Sequence, residues 1–128
     1  MDVRLKRAYE PASDKDGYRV LVDRLWPRGV SKKQAELDEW EKELAPSSNL
    51  REWFGHEPGR FPEFRQRYID ELRANRGRLR ELRRRARIGT LTLVYSAHDS
   101  EHNDAVVLAE VLLRGLPKSD RGEVAAPR

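Results

Sequence analysis

Cysteine is absent from the 128 residues. That excludes disulfides, thiolate nucleophiles and cysteine-ligated metal centres. No apolar run approaches the roughly 18 residues that a membrane helix needs. Residues 1–7 hold no apolar core of a secretion signal. Glycine-rich phosphate loops of the G-x-G-x-x-G or P-loop type are also missing, so no cofactor is expected. The expectation is a soluble cytoplasmic protein without a membrane partner. Apolar residues make up only 38% of the chain, no more than the charged residues. At this length that material suffices for one modest core.

What is plentiful is arginine, and it is unevenly placed. Residues 60–87 hold eleven arginines against Glu63, Asp70, Glu71 and Glu81, a net +7. The whole chain is +4, so the remainder is −3. One segment therefore carries the basic character, and with it the electrostatic bias towards partners.

Hydrophobic periodicity orders the elements. Val3 to Tyr9 reads as a short strand near a sheet edge, and Glu10 to Gly17 as a turn-rich loop. Tyr18 to Asp23 has the continuous apolar centre of a strand covered on both faces. Ser31, with Gln34 three residues on, forms a capping-box pattern. Leu37, Trp40 and Leu44 have helical spacing, while Trp40 to Leu44 also alternates as a strand does. The α/β order of the chain favours a helix at 31–35 and a strand near 38–43. Ser47 is the expected cap of a helix over Asn49 to Phe54. Phe61, Phe64, Tyr68 and Leu72 form one helical stripe. Asn75 is a candidate cap for a second helix that continues the stripe through Leu79, Leu82 and Ala86 to Gly89. Thr90 to Tyr95 is the clearest strand. Asn103 caps a last helix, closed by Gly115 and Pro117. The predicted architecture is α/β: a three-layer α/β/α sandwich, Rossmann-like or flavodoxin-like, with a mostly parallel sheet of about four strands. Residues 1–116 form the domain and 117–128 a flexible tail.

The motif Asp23-Arg24-Leu25-Trp26-Pro27-Arg28-Gly29 follows the apolar strand and suits neither helix nor strand. With parallel strands it gathers at one sheet edge with Ala45–Ser48 and with Tyr95–Asn103. Ligands of α/β proteins bind at that edge. Arg24, Arg28 and Arg51 would grip a phosphate or carboxylate there, with Ser47 and Ser96 as donors and His56 as a further cleft residue.

These residues carry a resemblance. The motif at 23–29 is similar to the signature of the YeaO-like family of bacterial proteins, the domain of unknown function 488. Glu43 to Ser47, Leu50 to His56, Arg67-Tyr68 with Glu71-Leu72, and Tyr95-Ser96-Ala97 with Asp99 and His102-Asn103 support it. Together they span about residues 3–115. The resemblance implies a compact single α/β domain and brings no established activity. His98 stands where the family pattern more often has lysine.

Each candidate has a structural alternative. Arg24 and Arg28 contact a ligand, or they pair with Asp23, Glu43 or Asp99 and shape the loop. Trp26 is expected to be a packed lid. Asp99 and His102 are the candidates for proton transfer. Alternatively, Asp99 and Asn103 cap the last helix. His98 and His102 have the i, i+4 spacing of metal ligands but lack a third partner, so no metal is expected. Ser47 and Ser96 lie outside any nucleophile elbow. The leading function is binding of an anionic small molecule, such as a nucleotide or sugar phosphate, with cofactor-independent hydrolysis as the mildest chemistry. The alternatives are an interaction module, or a sequence-nonspecific nucleic-acid-associated protein using Arg76, Arg80, Arg83, Arg84 and Arg87.

Overall fold

The structure, a computed structural model, describes residues 1–118. Four parallel strands form one sheet in the order β1-β4-β2-β3. They are β1 (Asp2–Arg7), β2 (Tyr18–Leu21), β3 (Glu39–Trp40) and β4 (Thr90–Tyr95). The helices are α1 (Lys32–Ala35), α2 (Ser48–Phe54), α3 (Phe61–Leu72), α4 (Arg76–Ile88) and α5 (Asp104–Arg114). The expected α/β sandwich is present. The strand near residue 40 exists but pairs over only two residues, Val20 with Glu39 and Leu21 with Trp40. The expected tail, residues 117–128, lies outside the described residues from 119 onward.

The two faces of the sheet are covered unequally. Val20, Val22, Leu91, Leu93 and Tyr95 join the main core with residues from α2, α3, α4 and α5. The predicted stripe supplies much of it: Phe64, Tyr68, Leu72, Leu79, Leu82 and Ala86 are all buried. Phe54 stacks on Phe64 with ring centroids 4.3 Å apart. The alternate residues Leu21 and Val94 face a smaller cluster with Ala8, Trp26, Leu37 and Trp40. On that side, among the described residues, the α-helical cover is the one-turn α1.

The ten residues 8–17 join β1 to β2 past the intervening β4. Asp16 fixes this strap. Its carboxylate takes bonds from Lys6 Nζ (3.0 and 3.1 Å) and from Arg19 Nη1 (2.6 Å). Burial pushes the Asp16 carboxyl up, but the bonds from Lys6, the Ser13 amide and Arg19 overcome this and hold it below its ordinary value. The Asp16 carbonyl accepts the Thr92 hydroxyl at 2.7 Å. Arg19, buried, also closes the end of α1 by donating to the carbonyls of Ala35 and Glu36.

Capping follows the sequence with one correction. Ser31 and Gln34 make the capping box, and Ser47 and Asn103 cap α2 and α5. Asn75 occupies the N-cap position of α4, with non-helical φ −126° and ψ 42°, but its side chain makes no capping bond. After the 3₁₀ turn at Arg73–Asn75, Asn75 Nδ2 instead donates to the Glu43 carbonyl at 3.2 Å.

Gly17 is a point of close approach. Its φ is +64°, and a Cβ there would lie 2.3 Å from the Thr90 carbonyl oxygen. Gly17→Ala is therefore expected to destabilise the fold by roughly 2–3 kcal/mol. Urea denaturation reads this as a lower midpoint at unchanged slope. An unshifted midpoint would show that the strap tolerates a side chain.

Candidate functional site at the carboxyl edge of the sheet

The last ladder bond of β2 runs from the Val22 amide to the Val94 carbonyl at 3.1 Å. Asp23 then leaves the ladder, and its groups link three strand ends. Asp23 Oδ2 accepts the Ser96 amide at 2.9 Å and the Ser96 hydroxyl at 2.7 Å. The Asp23 carbonyl accepts Trp40 Nε1 at 2.8 Å. Arg24 Nε donates to the Pro46 carbonyl at 2.9 Å. The loops after β2, β3 and β4 are thus cross-linked at one edge, as a parallel sheet requires.

This edge contains a topological switch point between β2 and β4. The chain leaves β4 for α5 on the helical face and leaves β2 for α1 on the opposite face. Asp23, Ser96 and Asp104 meet there. Asp104, in the first turn of α5, is hydrogen-bonded to the Asp23 carboxyl and accepts the Ala105 amide at 2.8 Å. Burial pushes the Asp104 carboxyl well above its ordinary value, and the Asp23 charge and hydrogen bond push it the same way. The fully buried Tyr68 hydroxyl is raised by burial and then by Asp104, Asp23 and Glu71. It donates to the Leu44 carbonyl at 2.5 Å.

A second carboxylate–serine clamp lies on α3. Glu71 accepts the Ser47 amide at 2.8 Å and the Ser47 hydroxyl at 2.7 Å. Ser47 Oγ in turn accepts the Leu50 amide, closing the start of α2. Beside this clamp is a cavity of about 190 Å³ lined by Arg24, Glu43, Ser47, Tyr68, Glu71 and Asn75. Beyond the Nε bond, Arg24 has no hydrogen bond among the described residues. A larger hollow of about 300 Å³ includes Ser13, Gly17, Arg19 and Asp38. It lies near the amino ends of the strands. There Arg19 is spent on Asp16 and α1, while Asp38 accepts the Arg19 amide at 2.8 Å.

The remaining motif residues shape the loop. Trp26 packs edge-on against Trp40 at 5.3 Å and donates to the Val30 carbonyl at 2.6 Å, as a packed lid should. The Arg28 carbonyl accepts the Tyr9 hydroxyl at 2.9 Å. The Arg28 side chain is exposed and has no partner among the described residues. Pairing of Arg24 and Arg28 with Asp23, Glu43 or Asp99 is therefore corrected: no such ion pair forms among the described residues.

Other candidates fall outside this cluster. His102 Nδ1 lies 2.8 Å from Asp99 Oδ2, and its ring meets Phe61 edge-on. Asp99 Oδ1 also accepts the amides of Glu101 and His102, and the first of these bonds leads in holding the carboxyl below its ordinary value. The acid–imidazole pair exists within a turn that also precedes the α5 cap. Arg51 Nε is enclosed without a partner, and its terminal nitrogen lies 3.8 Å from Glu52. His56 is exposed, has φ +58° and lies beside Phe54. Among the described residues, no group of three or more His, Asp or Glu side chains could hold a metal. No helix there is long and apolar enough to cross a membrane.

Asp23, Asp104, Tyr68 and Glu71 were not assigned site roles from sequence. Asp104 resembles an ordinary first-turn acid, and it lies 81 positions after Asp23. The available signal was the motif's aspartate, considered only as a partner for arginine.

Comparison with known proteins places the chain within a group. Residues 2–128 match the model of a family described as the inactive DUF488-N3 subclade. The uncharacterized protein YeaO of Escherichia coli (strain K12) is 46% identical over 112 residues, covering 88% of this chain and 97% of that one. The uncharacterized protein Rv3073c of Mycobacterium tuberculosis (strain ATCC 25618 / H37Rv) is 43% identical over 110 residues, covering 86% and 92%. No solved structure matches the chain.

The site makes two checkable demands. Asp23→Ala leaves the Ser96 amide and hydroxyl without their acceptor, at a cost of about 2–3 kcal/mol in denaturant midpoint analysis. A loss below about 0.5 kcal/mol would show that the clamp is dispensable. The raised Asp104 carboxyl sets a pH dependence. Its stabilising contribution is complete below the ordinary aspartate value of 3.8 and is lost as pH rises to the folded-state value. Asp104→Asn cannot ionise, so its stability relative to the parent should rise with pH across that window. Parallel stability–pH curves would contradict this assignment.

Proposed function

The chain belongs to the YeaO-like DUF488 family, within the branch described as inactive, and on that premise we propose that it is a binding domain without hydrolytic chemistry. Its ligand is a small polar molecule carrying a carboxylate or phosphate. The carrying observation is Arg24, whose guanidinium is anchored through Nε beside the 190 Å³ cavity while its terminal nitrogens remain available. An anchored guanidinium loses little freedom when it binds an oxyanion in a bidentate grip.

The rest of the lining narrows the ligand. Glu43 and Glu71 are acceptors, so the fitting molecule offers amine or hydroxyl donors beside its acid. Drug-sized pockets span roughly 300–1,000 Å³. This cavity favours an amino acid or a simple sugar phosphate over a dinucleotide. Arg28 adds an exposed cation on the same loop. The serines support binding rather than hydrolysis, because both hydroxyls donate to carboxylates and neither bonds an imidazole among the described residues.

Thermal unfolding against amino acids, sugar phosphates and nucleotides tests this reading. A ligand at ten times its Kd adds about 1.4 kcal/mol, or roughly 5 °C for this chain length. Arg24→Met should abolish that shift, and Arg28→Ala should reduce it. No shift across the panel, or an undiminished shift in Arg24→Met, would overturn the proposal.

A further inference from the structure

Helix α4 carries seven arginines and one acid, Glu81. The fold accounts for three of the seven. Arg78 pairs at 3.1 Å with the buried Glu41. Arg83 donates to the Val111 and Leu112 carbonyls and so closes the end of α5. Arg85 lies 4.0 Å from the centre of the Tyr18 ring. The other four, Arg76, Arg80, Arg84 and Arg87, are exposed. Steps of four, four and three residues place them in one row about 16 Å long. Arg84 is bonded to Glu81. Arg76, Arg80 and Arg87 have no partner among the described residues.

The row opposes the helix that bears it. Like charges at these spacings destabilise a helix. Arg76 and Arg80 also occupy its amino-terminal half, where the macrodipole disfavours cations. Folding explains neither position, whereas an anionic partner would. We propose that this face of α4 binds the phosphate backbone of double-stranded nucleic acid without reading its sequence.

Three features favour that partner. All four side chains are arginine, whose fork suits phosphate oxygens. The row spans roughly five base pairs at 3.4 Å per pair. A membrane surface would require a free apolar face, but Leu79, Leu82 and Ala86 are buried in the core. The row is distinct from the Arg24 cavity, so the two proposals can fail separately.

Fluorescence anisotropy with a labelled random-sequence 20-base-pair duplex tests the row. Four phosphate contacts predict a log–log salt slope of about −3.6, or roughly 150-fold weaker binding at 200 mM than at 50 mM salt. Changing Arg76, Arg80, Arg84 and Arg87 together to glutamine should abolish binding without lowering the melting temperature. The double variant Arg76→Gln/Arg80→Gln should halve the slope and keeps the test available if the quadruple variant folds poorly. Arg24→Met should bind the duplex as the parent does. The proposal fails if the parent does not bind at 50 mM salt, if either row variant keeps the parental slope, or if polyglutamate binds more tightly than the duplex.

Discussion

The Asp23 carboxylate accepts the amide and hydroxyl of Ser96, while its own carbonyl holds the Trp40 indole. These contacts join the ends of β2, β3 and β4, and the candidate site depends on them. Without this clamp, each loop would end in unsatisfied polar groups beside a buried core. The bond to Asp104 adds the start of α5, and burial together with the Asp23 charge and hydrogen bond raises that carboxyl well above its ordinary value. Glu71 repeats the device at Ser47. In both places a carboxylate positions a serine and occupies its hydroxyl.

A parallel sheet must be covered on both faces. Here α2 to α5 cover one face, leaving a short strap and a single helical turn for the other. The strap has little apolar material, so polar bonds secure it. Asp16 draws in Lys6 and Arg19, and Arg19 also holds the end of α1. A buried ion pair contributes specificity of arrangement more than net stability. The arrangement also explains several charged residues that resemble surface positions in the sequence but help close the fold.

The core stripe of α3 and α4 was legible because helical periodicity selects a face regardless of the helix's neighbour. The caps at Ser31, Ser47 and Asn103 were legible because capping is local. Asn75 does stand at the N-cap position of α4, with φ −126° and ψ 42°, but its side chain turns to the distant Glu43 carbonyl, a partner that local capping rules cannot foresee. The convergence of the three loops followed from parallel strands. Their cross-links did not, because Asp23 meets Ser96 and Asp104 only after distant segments are brought together.

The arginines show the same division. Composition alone marked residues 60–87 as the basic segment, and periodicity placed most of them opposite the apolar stripe. Neither could separate Arg83, spent on the carbonyls of α5, from Arg76 and Arg80, which are exposed and have no partner among the described residues. The sequence by itself determined the element order, the apolar faces, the caps at Ser31, Ser47 and Asn103 and the edge at which the three loops meet, because each follows from local conformational or hydrophobic preference. The tertiary structure decided which charges are consumed and which remain available, because a side chain's partner depends on packing between segments far apart in the chain.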